Sequence, residues 1–266
     1  MTTPPKNPVL SLQNLTIGIP RPNGFVSVVE KIHFSVASGE ILGIAGESGS
    51  GKTLTACAIA GLLPYPLVIG RGRVLFCGRS AFHSDANTPV FVRGKDILLL
   101  FQSPGSALDP GIRAGIQIQD ALTACLKYPR KTARHKAKQA MAQVDLTPSL
   151  FDRYPFQLSG GQRQRVLMAM AFALAPRILI VDEPTAGQDA ANRDHLLMLL
   201  TRLAGENGTA VILISHDLRI LSRTADIMAV FHQGRQVESG PIKQLFTRPE
   251  HPHTQELIQA MQFLES

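Results

Sequence analysis

The sequence predicts an α/β protein: a parallel sheet core, an antiparallel β part at the N-terminus, and an inserted α-helical block. Three observations predict it. Short apolar runs at 41–45, 177–181 and 210–215 alternate with helical patterns, as parallel sheets require. Residues 9–37 read as two strands about the turn PRPNG at 20–24. From about 105 to 176 the pattern turns helical and interrupts the alternation.

The elements follow in order. Residues 9–19 partly alternate, and 25–37 continue as strand until Ser38-Gly39. Ile41, Leu42, Gly43, Ile44 and Ala45 form a run suited to a strand buried on both faces. A Gly/Ser loop follows, then the helical pattern TLTACAIAGLL, ended by Pro64. Short strands are expected over 70–101 around a loop at 83–89. Beyond the helical block, 177–181 is strand, 190–204 helix and 210–215 strand. Residues 217–224, 226–232 and 235–238 read as helix, strand and strand, and 253–264 as an amphipathic helix. One domain is expected over 1–266, with core segments 9–101 and 177–240, a helical part at 102–176 and a tail at 241–266.

Composition excludes several classes. At 266 residues with 44% hydrophobic and 18% charged, the chain can bury a sizeable core and lies outside the disordered range. No apolar run reaches 18 residues, and MTTPPKNPVL has no signal core, so neither a spanning helix nor secretion is expected. The three cysteines, Cys57, Cys77 and Cys125, are too scattered for a disulfide framework or a CxxC metal site, and read as reduced packing residues. Lys plus Arg is 27 against 20 for Asp plus Glu, a net +7 that suggests an anionic partner. Six of these cations sit in the acid-free stretch 127–138, KYPRKTARHKAK. That stretch reads as a solvated face, with proximity to anionic lipid headgroups the second reading.

The chemistry concentrates in a few motifs. Gly46, Glu47, Ser48, Gly49, Ser50, Gly51, Lys52 and Thr53 fit GxxxxGK[ST] between a strand and a helix. Glycines let backbone N–H groups converge on phosphate oxygens, and the helix adds its positive end. Lys52 is placed for the β- and γ-phosphates and Thr53 for Mg²⁺. The run Ile178, Leu179, Ile180, Val181 ends in Asp182, a second Mg²⁺ ligand, and Glu183, a base for the attacking water. Leu158, Ser159, Gly160, Gly161 and Gln162 put two adjacent glycines at a helix start, which suits a second anion site.

With these motifs the sequence resembles the ATP-binding subunits of ABC transporters over nearly its whole length. Residues 158–162, LSGGQ, resemble the signature motif. Gln102, Asp189 and His216 match the Q-loop glutamine, the D-loop aspartate and the switch histidine, in the family's order. The resemblance implies a P-loop ATPase fold with the β and helical parts above, and ATP and Mg²⁺ as cofactors. It implies that two subunits sandwich ATP, so that Ser159, Gly160, Gly161, Gln162 and Asp189 serve the partner's site. Gln102 then senses Mg²⁺ and water, and His216 contacts the γ-phosphate. Partners implied are two transmembrane permease subunits and an extracytoplasmic solute-binding protein, at the cytoplasmic face of the cell membrane.

Narrower features resemble the peptide and nickel importer branch. They are FQSP at 101–104, LDP at 108–110 and RPEHPHT at 248–254. MAMA at 168–171 resembles one of that branch's two paralogue types, which implies a heterodimer. The absence of a cysteine-rich extension after Ser266 resembles the shorter nickel or metal-chelate members. His251 and His253, without a third ligand nearby, read as structural. The chain departs from the family at three places. Ile19 stands where an aromatic stacks on adenine, with Phe25 the nearest ring; Gln188 replaces the D-loop leucine; Ser103 replaces an acid after Gln102. The alternative class is a soluble ABC-type ATPase acting on nucleic acid, which normally carries long coiled coils or zinc insertions that this chain lacks.

Overall fold

The computed structural model describes residues 8–82, 89–101, 107–185 and 188–263. In chain order the first elements are β1 (Leu10–Arg21), β2 (Gly24–Val36), β3 (Ile41–Gly46), α1 (Lys52–Ala60), β4 (Val68–Phe76), β5 (Arg79–Ser80) and β6 (Ile97–Leu100). Then come α2 (Ala114–Leu126), α3 (Arg130–Gln143), α4 (Gly160–Leu174), β7 (Ile178–Asp182) and α5 (Ala190–Asn207). The last are β8 (Ala210–Ile214), α6 (Leu218–Thr224), β9 (Ile227–His232), β10 (Arg235–Pro241), α7 (Ile242–Thr247) and α8 (Pro252–Phe263). They form two compact units, one of residues 1–91 with 210–266 and the other of 92–209.

In the first unit the strands run in the order β5-β4-β1-β2-β10-β9-β3-β8. The β1–β2 hairpin is antiparallel from Leu10↔Val36 to Arg21↔Gly24, closing at the PRPNG turn. Its apolar residues Leu10, Leu12, Leu15, Ile17, Val29 and Ile32 are fully buried. By contrast β3 pairs parallel with both β8 and β9, and all six of its residues are buried. A strand covered on both faces has no polar side to show, which explains its unbroken apolar run. The helix α1 stops at Gly61, which takes the left-handed conformation at φ 65° and caps the helix end three residues before Pro64.

In the second unit β6 and β7 pair parallel, from Ile97↔Ile178 to Leu100↔Val181, and α2, α3 and α4 pack on one another. The sequence divides the chain at 101/102 and 176/177. The contacts group β6 and β7 with the helices. Lys127 turns the chain at φ 59° between α2 and α3, and Pro129 caps α3. Ala133, Ala137, Ala140 and Met141 form the buried stripe of α3. The basic stretch is therefore only partly a solvated face. The guanidinium of Arg134 lies 4.5 Å from the Phe151 ring centre, Lys138 Nζ lies 5.6 Å from it, and Lys136 Nζ lies 5.2 Å from the Tyr128 ring.

Phe151 itself is fully buried, and its ring fits only because residue 115 is glycine. A Cβ there would stand 2.2 Å from Phe151 Cδ2. Phe151→Ala is expected to cost about 3–5 kcal/mol of stability through the cavity it leaves. Urea unfolding followed by circular dichroism measures it, and a loss under 1 kcal/mol would contradict this packing role.

No disulfide joins Cys57, Cys77 or Cys125. Cys57 is buried, Cys125 is half-buried, and Cys77 is exposed at φ 49° in the turn between β4 and β5, so Cys77 is not a packing residue. Partial burial pushes the Cys125 thiol up, with Lys127 opposing. Near the C-terminus His253 is buried against His232, their rings 3.9 Å apart, and its N–H donates to His251 Nδ1. Glu238 accepts from the N–H groups of Glu250 and His251, fixing the Pro-rich turn. Among the described residues no group of three or more His, Cys, Asp or Glu is placed to hold a metal ion. Nor is any described helix long and apolar enough to cross a membrane.

Candidate nucleotide site

In the first unit, β3 ends at Gly46 and α1 begins at Lys52, so residues 47–51 form the connecting loop. Gly46, Gly49 and Gly51 take φ of 145°, 80° and 98°, which L side chains rarely adopt. At Gly46 a Cβ would also lie 2.2 Å from the carbonyl oxygen of Phe231 on β9. The neighbouring strand thus dictates glycine at the loop's first position. Glu47, Ser48 and Gly49 are exposed at the rim. Lys52 is only 7% exposed, and its Nζ donates to the carbonyls of Gly46 at 2.8 Å and Glu47 at 2.7 Å. The ammonium is thereby held over the loop's own backbone.

This loop fits a chain of phosphates. No acid stands in the first turn of α1 to repel them. Among the described residues Ser50 Oγ is buried without a hydrogen-bond partner, a donor suited to an arriving oxygen. Thr53 is exposed at the start of the helix.

His216 leaves the same edge of the sheet. In the β3–β8 pair Ile44 faces Ile214, and the Ser215 N–H donates to the Ile44 carbonyl at 3.1 Å. The residue after Ser215 therefore emerges beside the phosphate loop. Its neighbours are firmly set. Ser215 Oγ accepts from the Asp217 N–H at 3.0 Å. Asp217 caps α6 and takes a bidentate pair from Arg219 at 2.9 Å on both oxygens. His216 itself is exposed. Near the hairpin end, Ile19 is half-buried, and Phe25 is 37% exposed with its ring over Gly18 and Gly70.

The second unit holds the other predicted residues. Asp182 closes β7 and is 4% exposed. Glu183 follows at φ 47°, a left-handed backbone that is costly for a glutamate and recurs at functional sites. Ser159 caps α4 in a reciprocal box: its Oγ accepts from the Gln162 N–H at 3.2 Å, and Gln162 Oε1 accepts from the Ser159 N–H at 3.0 Å. Ser159 and Gly160 are exposed, no acid lies in the first turn, and a Cβ on Gly160 would meet nothing. The helix end is thus open to an anion from outside the chain.

Asp189 caps α5, accepting from the Asn192 N–H and from Asn192 Nδ2, each at 2.8 Å. These two bonds, the backbone one first, hold the exposed Asp189 carboxyl below the usual carboxylate range. Asn192 also reaches the signature glycines, since a Cβ on Gly161 would lie 2.7 Å from its Oδ1. Asn192 is absent from the sequence-based set, although an Asn three residues after a capping Asp was a readable signal. Gln102 lies outside the described residues.

The first unit gathers the phosphate loop and His216, and the second gathers Asp182, Glu183, Asp189 and the exposed start of α4. The loop of positive-φ glycines between β3 and α1, with its buried lysine, is that of a P-loop nucleotide-binding protein. The chain belongs to the ABC transporter family, whose model matches residues 29–186. It is an ABC-type ATPase. It is 36% identical over 255 residues to the probable D,D-dipeptide transport ATP-binding protein DdpD of Escherichia coli, covering 95% of this chain and 78% of that one. It is 37% identical over 253 residues to the dipeptide transport ATP-binding protein DppD of Bacillus subtilis, covering 94% and 76%. Its fold is that of the dimeric ATP-binding cassette MJ0796 bound to ADP and Pi, with a TM-score of 0.74 at 24% identity over 88% of this chain and 98% of that one.

Proposed function

We propose that the chain is the ATP-hydrolysing subunit of a peptide importer. It works at the cytoplasmic face of the cell membrane, paired with a homologous ATPase subunit beneath two permease subunits that receive solute from an extracytoplasmic binding protein. The observation that carries the solute class is the identity of 36% and 37%, along 95% and 94% of this chain, to two dipeptide-transport subunits. The dimeric cassette that shares the fold supports pairing. Nickel or metal-chelate uptake is the second reading.

In this reading Lys52, the loop amides and the α1 N-terminus bind the β- and γ-phosphates. His216 meets the γ-phosphate. Thr53 and Asp182, with Gln102, supply the hard oxygen donors that Mg²⁺ takes. An ion held by these residues would supply positive charge to offset that of the phosphoryl group. Glu183 orients and deprotonates the attacking water. Ser159, Gly160, Gly161 and Gln162, beside Asp189, complete the partner's site. Closure on ATP and opening after hydrolysis follow from the γ-phosphate bridging two surfaces that separate once it has left.

Co-purification from membranes of the native host would supply the permease and binding protein. In proteoliposomes containing all of them, a dipeptide mixture is expected to stimulate ATP hydrolysis and nickel(II)–histidine to leave it unchanged. The reverse outcome would select the metal reading. Stimulation of the isolated chain by duplex DNA would sink the importer reading.

A further inference from the structure

We infer that Gln188 is a positioning residue for the carboxylate of Glu183. The inference rests on the reading of Glu183 given above. Gln188 stands where the resemblance leads one to expect leucine, and its amide turns inward. Its Nε2 donates to the Pro184 carbonyl at 3.1 Å and also to Gln164 Oε1. Gln164, 7% exposed on α4, donates its own Nε2 to the same Pro184 carbonyl at 2.6 Å. The Gln188 N–H donates to the Thr185 carbonyl at 3.2 Å. Three polar groups from the β7 end, the following turn and α4 thus satisfy one another in a mostly buried cluster.

The cluster sits one residue beyond Glu183. On the other side Asp182 ends β7, whose Val181 is in register with Leu100 of β6. Glu183 therefore lies between a paired strand and a carbonyl held by two amides. Its φ of 47° is one that a glutamate keeps only when its surroundings over-determine it. An apolar side chain at 188 would remove one donor from Pro184 and leave Gln164 Oε1 buried without its partner. The turn carrying Glu183 would then loosen without any change at the phosphate loop.

The test is steady-state ATP hydrolysis by the full chain and its Gln188→Met, Gln164→Met and double variants, with Glu183→Gln as control. Gln188→Met is expected to lower kcat by about tenfold, the scale of a small misplacement of a reacting group, with KM for ATP within about twofold of wild type. The double variant is expected to fall no further than the worse single one, because both remove one unit. Wild-type kcat in Gln188→Met would overturn the inference. So would a raised KM, which would assign Gln188 to nucleotide or partner binding, or a kcat loss that merely follows the unfolded fraction. If Glu183→Gln is inactive and Gln188→Met is normal, only this inference fails. If Glu183→Gln turns over normally, the reading of Glu183 fails with it.

Discussion

Glu183→Gln is expected to bind ATP with near-normal affinity and to hydrolyse it about 10²–10⁴ times more slowly, the usual contribution of a general base. The physical reason is specific to the group. An amide fills the same volume and holds the same backbone, but it cannot accept a proton from water at neutral pH. Binding is expected to persist because the substitution leaves the phosphate loop and Lys52 unaltered. Unhydrolysed nucleotide should then accumulate on the protein. Single-turnover hydrolysis and retention of radiolabelled ATP on a desalting column measure the two effects together. Near-normal turnover would remove Glu183 from the role. Loss of retention would show that the side chain contributes to binding instead.

Lys52→Ala is expected to fail one step earlier. The ammonium is already held by the Gly46 and Glu47 carbonyls, so ATP meets a charge in position rather than one to be ordered. Hydrogen bonds to charged groups are worth about 1.5–3 kcal/mol, so the dissociation constant should rise roughly 10- to 150-fold. Removing the donor also takes a bond from each of two carbonyls, leaving Glu47 with the Ser50 N–H at 3.2 Å, which should loosen the loop and enlarge the loss. Isothermal titration with a non-hydrolysable analogue measures the affinity. An unchanged value would contradict the assignment. An additional fall in thermal stability without nucleotide would reveal the second contribution.

The parts of this site legible in the sequence are those written in neighbouring residues. GxxxxGK[ST] encodes a strand end, a loop of permitted φ and a helix start within eight positions, and the structure builds all three there. The capping box of α4 was likewise open to reading, because Ser159 and Gln162 are three residues apart. What escaped depends on distant partners. The inward turn of Gln188 needs Gln164, which is 24 residues away. The requirement for glycine at 46 becomes steric only when Phe231 arrives on β9. The short helix α7 went unread because its six residues are too few to display a period. The cations of α3 read as solvated because nothing local places the Phe151 ring beneath Arg134 and Lys138.

The contact between Gly161 and Asn192 bears on how this chain tolerates change. The Asn192 amide is tied by its Nδ2 to Asp189 Oδ2, so it cannot swing away from a new Cβ at 161 without breaking that bond, while its backbone N–H keeps the cap on α5. Positions 161, 189 and 192 therefore behave as one heritable unit. In a saturation library, position 161 should look intolerant in the wild-type background. It should regain small residues only where position 192 has also been shortened, a pairwise dependence that single-site scanning would record as rigidity of the signature alone.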